Sequence, residues 1–522
     1  MSHYSKLFSK VPLAVQNRSG FDLSHENLFT SKCGTLTPCY AQPVIPNTDL
    51  TLDVSCEIQL PPMATDFYGK VDGVFEAFFV PYRLLYGGWS ELITRPVNNA
   101  VYPSGTQNAL KPKFLPSFKI PSGSYGIGSL SDYLGIKIKD DGNDLVVLNP
   151  FFHLAYNKIY DDWYRNSFVQ APLFRRNTAE SASNSASTLP YSSFSGESSN
   201  EVSASLADAS KVYFLRQRNW AKDYFTSATP LPQAGTDVKI SINTEDNTFT
   251  WGQLVAQNSL ARWMQRTNMA GYRYPDQILA GFGVLPPDAI MDRAIYLGRK
   301  IVPIYTKSVY QNSGTSGDSS NPFKTIAAKF GSPLGVGNGT LIKRFKAKEH
   351  GLFMVLFSMV PRAYYSTGTS RHFKAQTMAD FPHPDFANMG DQPIFQSELV
   401  NTRPNLSADA DGTFGYQMRD SHYKYIDDQV HGELRDGGTL SAFALQRSFS
   451  IIPELSSSFL EIPTNFMDQV AAVNGDVSKY GCWVDAFFRA KSSMPLPAAS
   501  IPTLTDPKDV HTVMVDKGGR TL

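Results

Sequence analysis

The residues of this chain that could most readily carry out chemistry surround His383. Asp380 and Asp385 place a carboxylate on either side of that imidazole, in the order Asp-Phe-Pro-His-Pro-Asp. Such a group could ligate a metal ion or transfer a proton. Because the two intervening prolines favour an extended loop, a polar turn is the preferred interpretation.

Two pairs of adjacent acids, Asp161-Asp162 and Asp427-Asp428, are the other candidates for acid–base chemistry. Adjacent side chains point to different faces of a helix or strand, so neither pair can flank one substrate bond. We expect these four residues to be solvated charges. The glycine cluster Gly335–Gly339 is not followed by the Lys-Ser/Thr of a phosphate-binding loop, and a flexible turn is expected there.

The four cysteines offer no metal or redox motif, because none of them forms a Cys-x-x-Cys pair. They are Cys33, Cys39, Cys56 and Cys482. Buried free thiols are expected instead. Since the known signatures of nucleophilic catalysis and zinc hydrolysis are also missing, the sequence predicts no catalytic residue, no metal and no cofactor.

Cations gather at places where they could contact nucleic acid. Residues 1–20 contain Lys6, Lys10 and Arg18 and no acid, which indicates a basic arm that contacts phosphate or a neighbouring subunit, or else a frayed terminus. A second group surrounds Phe345 and consists of Lys343, Arg344, Lys346 and Lys348. Residues 371–374 are similar. Cations interleaved with aromatics suit a groove for single-stranded nucleic acid, whereas cations beside a strand also keep sheet edges soluble.

The overall charge restricts any nucleic-acid contact to such local groups. The 522 residues include 48 Lys and Arg against 47 Asp and Glu, a net charge of +1. This balance excludes a polycation that coats nucleic acid. The longest apolar run, 351–360, is about half the roughly 20 residues of a membrane span, and no signal-peptide pattern is visible. Membrane insertion and secretion by that route are therefore not expected.

The composition favours short strands joined by turns, because 34 prolines and 37 glycines interrupt the chain. Alternating or continuous apolar residues predict strands at 36–45, 50–58, 74–80, 352–360 and 482–490. Aromatic residues at helical spacing predict a helix from Asn149-Pro150 to Tyr164. Further helices are predicted at 251–267 and 287–297, and loops at 311–321 and in the serine-rich segment 181–210.

Several sequence blocks follow one another in a recognisable order. The longest runs from Phe21 to Pro38 and reads Phe-Asp-Leu-Ser-His-Glu-Asn-Leu-Phe-Thr-Ser-Lys-Cys-Gly-Thr-Leu-Thr-Pro. The others are Pro61–Met63, Ala77–Leu85, Asp223–Ser227, Pro230–Gln233, Phe282–Val284, Pro287–Ala289, Tyr296–Gly298, Glu349–Gly351, Phe414–Tyr416 and Trp483–Pro495. This ordered set resembles the major capsid protein of Microviridae, the small single-stranded-DNA phages, in particular their gokushovirus-like branch.

The resemblance implies a mainly β fold, namely a single eight-stranded jelly roll with long inter-strand insertions that contain short helices. We expect a basic arm over 1–20, one capsid domain over 21–500 and a tail over 501–522. The insertions are expected at about 83–345 and include 181–210. The implied function is self-assembly into a small icosahedral shell around circular single-stranded DNA, without enzymatic activity.

The resemblance also implies partners and a location. The partners are further copies of the chain, the packaged DNA, a small basic DNA-binding protein, a minor pilot-type capsid protein and a receptor on the bacterial host. The candidate DNA contacts are Lys6, Lys10, Arg18, Lys343, Arg344, Lys346 and Lys348. The protein is expected in the virion, after assembly in the host cytoplasm.

Two alternatives stay open at this point. Residues 235–250 are short where gokushoviruses carry a long insertion that forms a threefold protrusion, which argues against a tall protrusion and for another branch. The runner-up function is a polysaccharide-binding or polysaccharide-active β-sandwich protein, because Tyr and Trp side chains also form sugar platforms.

Overall fold

The fold is that of a computed structural model, and the structure describes residues 18–63, 67–86, 89–94, 118–136, 142–143, 145–170, 173, 213–232, scattered positions between 255 and 284, 292–310, 329–384, 390–400, 412–449, 451–471 and 475–497. Lys6, Lys10, the serine-rich segment 181–210, the predicted loop 311–321 and the tail 501–522 lie outside these residues. Of the helix predicted at 251–267, only positions 255, 259, 260, 262 and 263 are described, and they are helical.

The described residues are mainly β and form strands of very different lengths. The strands are β1 (Ser19–Asp22), β2 (His25–Ser31), β3 (Thr37–Val44), β4 (Asp49–Gln59), β5 (Val71–Pro81), β6 (Phe118–Ile120), β7 (Leu145–Val147), β8 (Ile295–Tyr310), β9 (Lys329–Lys346), β10 (Gly351–Pro361), β11 (Asp391–Phe395), β12 (Thr413–Met418) and β13 (Cys482–Met494).

The helices are short and lie between these strands. They are α1 (Tyr82–Leu85), α2 (Trp89–Thr94), α3 (Leu130–Tyr133), α4 (Phe151–Ile159) with a π-helical continuation (Tyr160–Tyr164), α5 (Gln396–Leu399), α6 (Ser421–Lys424), α7 (Ser457–Leu460) and α8 (Asp476–Tyr480). Single 3₁₀ turns occur at Arg371–Lys374, Met378–Asp380, Gly432–Leu434, Ser441–Phe443 and Phe466–Val470.

The long strands form one curled antiparallel sheet in the order β1-β13-β4-β9-β8-β5-β10-β3, and β2 pairs with β13 beside β1. Since β1 and β2 share one edge, the sheet has eight strand positions. Strand β8 pairs with β5 through Ile304 and with β9 from Tyr305 onward, so it joins two four-stranded layers. This confirms the predicted eight-stranded jelly roll.

The core lies between the two layers because the strands alternate apolar and polar side chains. In β13 every second residue is buried from Cys482 to Ala490. Phe488 of β13 and Phe75 of β5 meet across the layers with ring centroids 6.4 Å apart. Each fully buried side chain of this kind contributes about 1.5–3 kcal/mol of transfer free energy, so the interior can hold the two layers together.

The layer β8-β5-β10-β3 is buried on both faces along β5 and β10. Its inner face lies in the core, and its other face packs against α4 through residues such as Tyr156 and Ile159. Strand β10 is therefore buried almost throughout, as its continuous apolar run predicts. The helix predicted after Asn149 is confirmed as well, and the Asn149 side chain accepts a hydrogen bond from the first helical N–H, that of Phe151.

The prediction of a flexible turn at Gly335–Gly339 is wrong, because this cluster lies within β9. A Cβ atom on Gly337 would stand 2.4 Å from Cγ2 of Val302, and one on Gly335 would stand 3.0 Å from Cγ1 of Ile304. Val302 and Ile304 are buried side chains of β8. The glycines therefore allow β8 side chains to pack directly on the backbone of β9, where two layers converge.

Three further predictions need correction. The helix predicted at 287–297 is wrong at its end, because residues 295–297 begin β8 and pair with β5. Asp161 and Asp162 are not solvated: they form ion pairs with Arg165 and Lys158 at 2.7 and 3.1 Å, and both side chains are buried. Strands β8 and β9 also lie within 83–345, so the insertion after β5 ends before Ile295.

A buried ion pair fastens this insertion to the jelly roll. Glu76 lies in β5, and its carboxylate accepts hydrogen bonds from Arg218, at 2.7 Å, and from the Tyr164 hydroxyl. Arg218 also donates to Ser358 Oγ of β10, at 2.9 Å. Because Glu76 is buried, removal of either partner would leave the other as an unpaired charge in the interior.

The four cysteines are buried free thiols, as predicted. Burial raises the pKa of the Cys56 thiol to about 11 and that of Cys482 to about 12, and it raises the pKa of Cys33 and Cys39 too. Thiolates are the reactive species. We expect no alkylation by iodoacetamide at pH 8 in the folded subunit and four alkylations in denaturant, counted by mass spectrometry. Labelling of a folded subunit would contradict this burial.

Candidate nucleic-acid interface and assembly surfaces

The predicted basic group at 343–348 lies where β9 ends. The pairing of β4 with β9 is irregular next to Leu52, and at this irregularity both Lys343 and Arg344 are exposed. Lys346 and Lys348 are exposed beyond them. Phe345 instead packs on Phe79 with ring centroids 5.0 Å apart. The group thus presents charge to solvent, and its aromatic ring belongs to the interior.

Arg18 is brought next to this group, but it is engaged with the jelly roll. Its Nη2 atom lies 2.9 Å from Oδ2 of Asp49, and the same guanidinium donates to Asn47 Oδ1 and to the Ser493 carbonyl. Arg344 approaches the same Asp49 oxygen at 3.3 Å. Asp49 therefore compensates part of the charge here, and Arg18 anchors the start of β1.

Two cations of this surface are missing from the sequence prediction. Arg489 and Lys491 are exposed positions of β13 and pair with Asp53 and Thr51 of β4. Strand β4 in turn pairs with β9, which carries the predicted group. The alternation of β13 could have revealed their outward direction, but only the strand order brings them to the same end of the same face.

This surface, the basic end, can bind phosphates. It comprises Lys343, Arg344, Lys346, Lys348, Arg489 and Lys491. Exposed ammonium and guanidinium groups contact phosphate oxygens without reading sequence. Because no exposed aromatic ring lies within the predicted group, its interaction with a nucleic acid is expected to be electrostatic and strongly dependent on salt.

The other basic group, residues 371–374, is largely occupied by protein contacts. Lys374 is buried and lies over the Phe395 ring, 4.7 Å from its centroid. Arg371 lies over the same ring at 5.0 Å and 3.6 Å from the Glu398 carboxylate. These cations hold a loop onto β11, so they contribute little to a nucleic-acid groove.

The group around His383 behaves as a turn in the part that is described. Asp380 accepts hydrogen bonds from the backbone N–H groups of Gln376 and Thr377, which lowers its pKa. Asp385 lies outside the described residues. Among the described residues no cluster of three His, Cys, Asp or Glu could hold a metal ion.

A cleft of about 430 Å³ lies in the connection between β10 and β13. Phe373, Tyr425 and Ile426 line it, and each is exposed by 46% or more. Apolar groups of this kind mark surfaces for protein contacts. This rim is therefore a candidate contact between copies of the chain.

Asp427 lines the same cleft and is not the solvated charge that the sequence predicts. Burial and then the carboxylate of Asp223 raise its pKa from 3.8 to about 7, with smaller contributions from Asp428 and Glu398. The backbone N–H of Tyr224 acts in the opposite direction, from 3.4 Å. Asp223 accepts hydrogen bonds from the Tyr365 hydroxyl and from the backbone N–H groups of Phe225 and Thr226.

The raised pKa predicts that this carboxyl destabilises the subunit as pH rises. The folded state holds the proton up to about pH 7 and the unfolded state only to about pH 4, so stability falls between those values and is level above them. Allowing for partial exposure, we expect a loss of about 2 kcal/mol. Asp427→Asn should raise the melting temperature at pH 7.5 and leave it unchanged at pH 4.

The matched control is Asp428→Asn, because that side chain is 43% exposed and lies 3.5 Å from Arg362 in an ion pair. It should not raise the melting temperature at pH 7.5. Equal effects of the two substitutions would contradict the assignment to Asp427.

Comparisons with known proteins agree with this architecture. A family model described as capsid protein (F protein) matches residues 9–250 and 244–504. The chain is 25% identical to capsid protein VP1 of Chlamydia phage 1, over 95% of this chain and 97% of that protein. It is 24% identical to capsid protein VP1 of Bdellovibrio phage phiMH2K, over 88% and 91%, and 23% identical to that of Spiroplasma virus 4, over 93% and 95%.

The family match covers most of the chain, including the jelly-roll strands at both ends and the insertions between them. The members are structural capsid proteins and not enzymes, so the polysaccharide-active alternative is set aside. No helix among the described residues is long and apolar enough to span a membrane. The chain belongs to the capsid protein (F protein) family and is a major capsid protein, similar to those of gokushovirus-type Microviridae.

Proposed function

We propose that this capsid protein assembles in the host cytoplasm into a small icosahedral shell around a circular single-stranded DNA genome. The family match along residues 9–504 carries this proposal. The exposed apolar rim of the cleft between β10 and β13 supports it, because a shell buries such surfaces between copies. Contacts around closed rotation axes are then heterologous.

The test of assembly is electron microscopy of the purified chain together with its sedimentation. Closed particles of uniform size are expected. A protein that stays monomeric in concentrated solution and in extracts of infected cells would contradict the proposal.

The proposed DNA contact is the basic end, with Lys343, Arg344, Lys346 and Lys348 as its centre. These side chains are exposed and four cations lie within six consecutive positions. Arg18 lies beside this surface and forms an ion pair with Asp49. We propose that the surface faces the interior of the shell, where it positions phosphates without sequence preference.

A small basic protein is a proposed partner inside the particle. Each nucleotide carries one phosphate charge, whereas each subunit supplies a net charge of +1. Local patches position DNA, but most of the genome's charge needs mobile cations or a strongly basic polypeptide. Mass spectrometry of DNA-filled particles tests this, and filled particles without any basic polypeptide would exclude the partner.

The remaining expectations concern the outside of the particle and the chain ends. We propose that residues 181–210 form an exposed loop at the outer surface or at a seam between subunits, because a serine-rich segment without cations has too little apolar surface to fold alone. Limited proteolysis of intact particles should cut there first. A minor pilot-type protein and a host receptor complete the proposed partners, and residues 501–522 are a proposed tail.

A further inference from the structure

The outer face of the layer β2-β13-β4-β9 differs sharply between its two ends. At the end away from the basic end, cross-strand pairing places outward-facing positions side by side in three rows. They are Thr30, Trp483, Gln59 and Leu334 in the first row, Leu28, Asp485, Glu57 and Val336 in the second, and Glu26, Phe487, Ser55 and Asn338 in the third. We call this surface the acidic strip.

The acidic strip combines exposed apolar side chains with the carboxylates of Glu26, Glu57 and Asp485, and the Lys300 ammonium lies at its border, 3.0 Å from the Asn338 carbonyl. Leu28, Val336 and Trp483 are exposed by 73%, 68% and 46%. Glu57 and Asp485 are directly opposed across the strands, an arrangement that is destabilising because like charges repel. Glu57 accepts a hydrogen bond from Gln59 Nε2 at 2.6 Å, and none of the outward positions of these three rows carries Lys or Arg.

A segment that covers this strip must therefore supply apolar side chains and positive charge. Residues 1–17 of the chain have this composition: Lys6 and Lys10 are the cations, no acid is present, and the apolar residues include Leu7, Phe8, Val11, Leu13 and Val15. The same cations are repelled by the basic end of the face. Charge complementarity thus favours the acidic strip over the other end as the surface for a segment of this composition.

The segment is also long enough to reach the strip of its own subunit. Arg18 is held at the carbonyl of Ser493, six residues along β13 from Phe487 and ten from Trp483. At about 3.3 Å per residue these separations are about 20 and 33 Å. Seventeen residues can span up to about 56 Å when extended.

We propose that residues 1–17 lie across the outer sheet face and cover the acidic strip of their own subunit. Lys6 and Lys10 then lie near Glu57, Asp485 and Glu26, and the apolar residues cover Leu28, Trp483 and Val336. Burial of these side chains and opposite charge at low separation stabilise the contact. In this arrangement the basic end contacts phosphate and residues 1–17 do not.

Cross-linking tests this placement, since the four native thiols are buried. The variant Phe8→Cys with Val336→Cys is treated with a short bismaleimide, and the products are separated by electrophoresis and mapped by mass spectrometry. An intrachain link is the expected product. The control pairs Phe8→Cys with Ile451→Cys, a position outside the strip that is at least as exposed as Val336, at 80% against 68%. Its yield should be at least about fivefold lower.

Charge variants of the strip provide the second measurement. Glu57→Gln with Asp485→Asn should lower the yield of the intrachain link about threefold or more, and 0.5 M salt should have a similar effect. Melting temperatures show that the variants fold. A link between two chains, equal yields at Val336 and Ile451, or an arm that cross-links to DNA and not to the strip in filled particles would each overturn the proposal.

Discussion

Replacement of Glu76 by glutamine is expected to cost the subunit about 3–5 kcal/mol of unfolding free energy. The substitution keeps the shape of the side chain and removes its charge, so Arg218 is left as an uncompensated cation, with its side chain 18% exposed. Breaking one partner of a buried ion pair has costs of this size. Because Tyr164 and Arg218 belong to the insertion after β5, loosening of that insertion should accompany the loss.

Urea unfolding of unassembled subunits measures this effect, with tryptophan fluorescence as the signal. The control is Glu349→Gln, whose partner Arg83 lies 2.8 Å away with both side chains about one third exposed. That change should cost less than about 1 kcal/mol. The double variant Glu76→Leu with Arg218→Met should recover much of the loss, because apolar replacement of both partners leaves no buried charge. Similar losses for Glu76→Gln and Glu349→Gln would refute this assignment.

Removal of the four cations Lys343, Arg344, Lys346 and Lys348 is expected to weaken binding of single-stranded DNA by about 10²–10³-fold at 0.1 M salt. Each phosphate contact on a single strand contributes about 0.7 to the slope of log K against log salt, so loss of four contacts lowers the slope by about 3. Glutamine substitutions keep the side chains polar and exposed. Fluorescence anisotropy with an oligonucleotide at several salt concentrations gives both quantities.

The matched control removes four exposed cations elsewhere, namely Lys32, Lys70, Lys222 and Lys424. It changes the net charge equally and should reduce the slope by less than about 1. Equal reductions in both variants would mean that binding follows net charge, and the basic end would then not be the DNA contact.

The strands whose side chains alternate were predictable from the sequence. Strand β13 buries every second residue, and β10 is a continuous apolar run with both faces covered, so period and hydrophobicity alone indicate them. The helix that starts after Asn149 was predictable for the same reason. These features depend on neighbours along the chain.

The features that the sequence did not predict depend on contacts with residues that are close in space rather than adjacent in the sequence. Gly337 lies in a strand where the Val302 side chain occupies the space that a Cβ atom would need. No local sequence pattern indicates that contact. Asp161 is buried because Arg165 and the backbone N–H of Leu173 satisfy it. Arg489 and Lys491 lie on the basic surface because the strand order places β13 next to β4 and β4 next to β9. Local propensity carries no information on such pairings.

The position of β13 within the sheet has a consequence for synthesis of the protein. This strand pairs with β1 and β2 on one side and with β4 on the other. Thr51 of β4 donates a hydrogen bond to the carbonyl of Lys491 of β13, and the two residues are 440 positions apart in the sequence. Contacts so distant along the chain form late and slowly. A nascent chain that has not yet reached Cys482 leaves an open edge on β4 and lacks the part of that layer's outer face that β13 supplies. We therefore expect that only a subunit translated through β13 presents a finished surface to other subunits and that truncated products do not enter the shell.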